Sequence, residues 1–101
     1  MQKEVAKILL KVQMDDLEDA QMLYEYAEEI REEGDEAIAQ AIKQRALHRL
    51  EQYSECERSI TSVLERARVQ GEGASEILYS EICKEYLSHW YDKVKLKIDE
   101  M

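Results

Sequence analysis

Proline is absent from all 101 residues, and glycine occurs only at positions 34, 71 and 73. Long proline-free tracts rich in Ala, Glu, Leu, Ile, Lys, Arg and Gln favour helix over sheet. The glycines divide the chain into three predicted helices, about 2–33, 35–69 and 75–98, within one domain spanning 1–101. Gly34 is placed to end the first helix in a left-handed conformation, Asp35 to cap the second, and Ser75 to cap the third, after the Gly71-Glu72-Gly73 loop. Each helix would be roughly 37–51 Å long at about 1.5 Å per residue.

Apolar residues recur at spacings of three and four in all three tracts, which predicts amphipathic helices. In the first, the stripe runs Val5, Leu9, Val12, Asp16, Asp19, Leu23, Tyr26 and Ile30. In the second it runs Ile38, Ile42, Ala46, Arg49, Tyr53, Cys56, Ile60, Val63 and Ala67, with Leu50 and Leu64 at its edge. In the third it runs Leu78, Ile82, Tyr86, Trp90, Val94 and Ile98, broadened by Cys83 and Leu87. The fold class is therefore all-α: three long antiparallel helices in a small bundle. Leu10, Met14, Leu17 and Tyr24 form a second face of the first helix, away from its main stripe. That face is the expected contact with a protein partner or a second copy, and completion of the thin bundle as a homodimer is expected.

The net charge of −9 is local. Between Asp15 and Glu36 there are eleven acids and one base, Arg31, so the remainder sums to +1. Such a surface repels nucleic-acid phosphates and anionic lipid, so neither is an expected partner. No apolar run approaches the roughly 20 residues of a membrane helix, and Met1 to Leu10 lacks a signal-peptide pattern. A cytoplasmic protein is expected, with Cys56 and Cys83 as two reduced, mostly buried thiols.

The two polar breaks in the first two stripes face each other. Folding the helices back about Gly34 sets Asp19 opposite Arg49 and Asp16 opposite Gln52, residues equidistant from the turn. An unpaired charge in an interior stripe is strongly disfavoured, so an interhelical bridge from Arg49 to Asp19, Asp16 or both is expected.

The segment Leu23 to Gln52 resembles the first helical hairpin of rubrerythrins and related ferritin-like proteins. Those proteins have a Tyr- and Ala-rich helix end, then a Lys/Glu-Gly turn, here Glu33-Gly34, and then an Ile-Ala-rich helix start. The resemblance implies a ferritin-like hairpin. It also implies a metal-ligand position at Asp16, which keeps a carboxylate, and a Glu-x-x-His pair at the positions of Arg49 and Gln52, which do not match. A guanidinium donates only and carries a fixed positive charge, so the expected site is an ion pair in place of a metal.

Other constellations read as ordinary helix surface. Glu85 and His89 stand four apart on one helical face, and His48 lies at a core edge. The turn Glu32 to Glu36 lacks the oxygen spacing of a calcium loop. No glycine-rich phosphate loop or nucleophile–base arrangement is present, so neither catalysis nor a cofactor is expected. The expected role is a non-enzymatic one exercised through protein contacts or self-association. The alternative is a ferritin-like metal protein with a site assembled between subunits from Asp16, Asp19, Glu85 and His89.

Overall fold

A computed structural model describes residues 2–101. It is all-helical: α1 covers Gln2–Glu32, α2 Glu36–Val69 and α3 Ala74–Asp99, packed as a rod with extents of 56 × 16 × 15 Å. No helix among the described residues is long and apolar enough to cross a membrane.

The turn between α1 and α2 follows from Gly34. Its φ of 98° lies in the left-handed region, where a side chain is disfavoured. That conformation lets the Gly34 amide donate to the Arg31 carbonyl (3.0 Å) and the Asp35 amide to the Ile30 carbonyl (3.2 Å). The pair of bonds satisfies carbonyls that the helix end would otherwise leave open. Asp35 then starts α2, its carboxylate accepting from the Ile38 amide at 3.1 Å. Gly71, at φ 70°, ends α2 in the same way.

The start of α3 departs from expectation. Ser75 does not cap it; Gly73 holds the N-cap position without a side-chain bond, and Ser75 instead donates to Glu76 at 3.4 Å. The loop before α3 also reaches back to the start of the chain. There the Glu72 carboxylate accepts from the backbone amides of Gln2 and Lys3, at 3.3 and 3.2 Å. Those are first-turn donors of α1, so a residue of the second loop caps the first helix.

Register is read from side-chain pairs. Leu9 meets Cys56, Gln13 meets Tyr53, and Asp16 and Asp19 meet Arg49, so numbers rise along α1 as they fall along α2. Lys3 meets Glu76, Gln21 meets Trp90 and Tyr24 meets Lys97, so numbers rise together along α1 and α3. The core is built from Ala6, Leu10, Leu17 and Ala20 of α1, Ala46, Leu50, Tyr53, Ile60 and Leu64 of α2, and Leu87, Val94 and Ile98 of α3.

This core corrects the expected stripes. Val5, Val12 and Tyr26 of α1 and Ile38 of α2 are exposed, and so are Leu78, Ile82 and Tyr86 of α3. Leu10 and Leu17, assigned to a docking face, are buried instead, Leu17 completely. The reason lies in the hairpin, which carries two apolar seams. α3 packs over the seam bearing Leu10, Leu17, Leu50 and Tyr53. The stripe through Val5, Val12, Asp16 and Asp19 borders the opposite seam: at about 100° per residue, Val5 and Val12 lie about 140° around α1 from Leu10 and Leu17.

Candidate functional site

The polar break in the hairpin is assembled from one turn of each helix near mid-length. Arg49 of α2 donates through Nη2 to Asp19 Oδ2 and through Nη1 to Gln52 Oε1 (3.0 Å). Asp16 Oδ1 lies 3.6 Å from the same Nη2. The structure thus brings together all four residues that the sequence pairs across Gly34. Their environments differ. Asp16 is buried, whereas the side chains of Arg49 and Asp19 are 31% and 43% exposed.

Burial raises the Asp16 carboxyl above the usual aspartate range; the Arg49 charge opposes this, and Asp19 and Asp15 reinforce it. The arrangement is one guanidinium shared between a dry carboxylate and a wet one. Beside it, the Cys56 thiol donates to the Leu9 carbonyl at 3.5 Å. Burial and then the neighbouring Asp16 push that thiol upward, which lowers its reactivity.

A second polar site, which sequence reasoning missed, lies on the α3 side of the hairpin. Gln13 is fully buried; its amide nitrogen donates to the Tyr53 carbonyl (3.2 Å) and to Glu57 Oε2 (2.8 Å). Glu57 also pairs with Lys84 of α3 at 3.1 Å. Tyr53 stacks on Tyr91, ring centroids 4.8 Å apart. Burial, and then Glu57, raises its phenol well above the ordinary tyrosine range. The sequence signal for this site is the phase of Gln13, which falls between Leu10 and Leu17 on the buried face.

The metal-ligand set implied by the ferritin-like resemblance does not fit these residues. Arg49 occupies the space between Asp16 and Asp19 with donors only. Glu85 and His89 sit exposed on α3, and no group of three or more His, Cys, Asp or Glu side chains that could hold an ion gathers among the described residues. His48 is an exposed residue, 3.8 Å from Glu51. Of the assigned docking face, only Met14 and Tyr24 keep appreciable exposure; Met14 borders a groove between α1 and α3, and Tyr24 lies beneath Lys97.

No family model, curated protein or solved structure matches this chain. Function therefore rests on the geometry alone.

Proposed function

We propose that this protein is a binding module rather than an enzyme, and that it self-associates as a homodimer through the hairpin seam that α3 leaves open. On this reading α1 and α2 form an antiparallel, ferritin-like hairpin, and two such hairpins stack face to face into a four-helix layer.

One observation carries the proposal. Exposed apolar residues sit at both ends of the open seam, Val5 and Val12 at one and Tyr26 and Ile38 at the other, with the Arg49 cluster between them. A twofold axis through the cluster lays apolar end on apolar end and ion pair on ion pair. That pattern is self-complementary, as a twofold interface requires. The half-exposed Arg49–Asp19 pair becomes dry in the dimer and fixes its register, because any slip leaves a charge facing an apolar side chain. The excess acid is confined to the stretch from Asp15 to Glu36, where it repels unspecific association.

The test is the mass in solution. Sedimentation should give twice the 11.9 kDa chain mass, and the double substitution Val12→Glu with Tyr26→Glu should return the single-chain mass with an unchanged helical spectrum. A wild-type chain that sediments as a monomer, or a double variant that remains dimeric, would sink the seam as the interface.

A further inference from the structure

A second surface remains outside this seam. The first turns of α3 expose Leu78, Tyr79, Ile82 and Tyr86, the last three at 58–67%. Isolated exposed apolar residues are ordinary, but four on neighbouring positions of one helix make a patch. The patch continues into a groove of about 380 Å³ between α1 and α3, floored by Leu10, Cys83 and Leu87 and walled by Met14, Tyr79 and Ile82. Its only charged lining residues are Lys7 and Lys11, both on the α1 wall. The charge lining the groove itself is thus positive, while Asp15 stands beside Lys11 and Glu81 and Glu85 lie beyond Ile82 on the outer side of α3.

We propose that this groove receives an amphipathic helix of a partner protein whose apolar face is flanked by carboxylates. The walls are two helices whose backbone groups are already bonded, so they offer no edge to an added strand; contact must be made by side chains. The α1 wall from Lys7 to Met14 spans about 10 Å and the α3 wall from Tyr79 to Leu87 about 12 Å, at about 1.5 Å per residue. That length takes about two turns of helix, with anchors at i, i+3 or i+4, and i+7. Met14 and the tyrosines suit such a partner: the thioether adapts its shape, and the rings bury area while keeping a hydroxyl in water.

Lys7 is exposed, with no ion-pair partner among the described residues. Lys11 is held at 3.0 Å by Asp15, but both side chains are more than half exposed and such a pair is readily exchanged. Carboxylates flanking the incoming helix would meet both lysines. This surface is distinct from the dimer seam and does not depend on it.

The probe is a synthetic amphipathic peptide of about eighteen residues, roughly 27 Å of helix. It carries leucine anchors and glutamate flanks and is compared with the same peptide bearing lysine flanks. Both are titrated by fluorescence anisotropy against the full chain. The glutamate peptide should bind at least about tenfold more tightly at low salt, with the advantage shrinking as salt is added. Lys7→Glu with Lys11→Glu should reverse that preference. Ile82→Glu should abolish binding while leaving helical content and sedimentation mass unchanged. Equal affinity for the two peptides, no binding of either, or binding that survives Ile82→Glu overturns the proposal. Loss of half the mass in Ile82→Glu also overturns it, since a second copy would then fill the groove.

Discussion

At the scale of single residues, the Arg49 cluster shows one charge serving two unequal partners. Asp16 is buried and its carboxyl is raised, by burial first and against the pull of Arg49. A raised carboxyl binds its proton more tightly in the folded chain than in the unfolded one. Its contribution to stability is therefore greatest in acid and is lost as pH rises through the folded value. Asp16→Asn removes that liability while Asp19 still satisfies Arg49. Relative to wild type, the variant should gain stability near pH 7, and the gain should disappear as pH falls toward about 4, the ordinary aspartate range. Urea denaturation of both proteins across that interval checks it; a variant weaker than wild type at pH 7 would show that the Asp16–Arg49 contact outweighs the desolvation. The Asp19–Arg49 pair was legible because both residues stand equidistant from Gly34, a simple consequence of folding a hairpin about one turn, whereas Asp16, expected opposite Gln52, lies against Arg49 instead. Gln13 was not, because its partners are a backbone carbonyl and Glu57, and a helix-interior carbonyl has no sequence signature.

Among the elements, helix ends were easier to read than helix faces. Gly34 and Asp35 announce a stop and a start by chemistry confined to neighbouring residues. A Cβ built on Gly34 meets nothing within 4 Å, so a side chain there is opposed only by the φ of 98°. Gly34→Ala should cost about 1 kcal/mol, lowering the melting temperature by roughly 4–8 °C for a domain of this size. Calorimetry that finds no change would mean the turn relaxes to another conformation. The α3 boundary was harder, since Gly73 at the N-cap leaves no side-chain signal and Ser75 offers a false one. Faces depend on what lies across from them. α1 carries apolar residues on two sides, and spacing alone does not say which side another helix will cover.

For the whole molecule, that ambiguity decides what a substitution means. Leu17 lies on the face that sequence assigned to a partner, yet it is buried completely among the three helices. Leu17→Glu should therefore unfold the chain, because a carboxylate there has no partner and no water. Loss of the helical circular dichroism signal is the expected result; a folded but dissociated chain would restore Leu17 to an intermolecular contact. The all-helical class and three-element order were legible in the glycine spacing, while the packing of α3 was not, since it is settled by competition between two similar seams. A final consequence follows from Glu72, whose carboxylate receives the amides of Gln2 and Lys3 from 70 and 69 positions away. The opening turn of the chain is thus fastened by a loop that is synthesised long after it. Its amides become a remote gauge of that loop: slow hydrogen exchange at Gln2 and Lys3 records that the distant connection has closed.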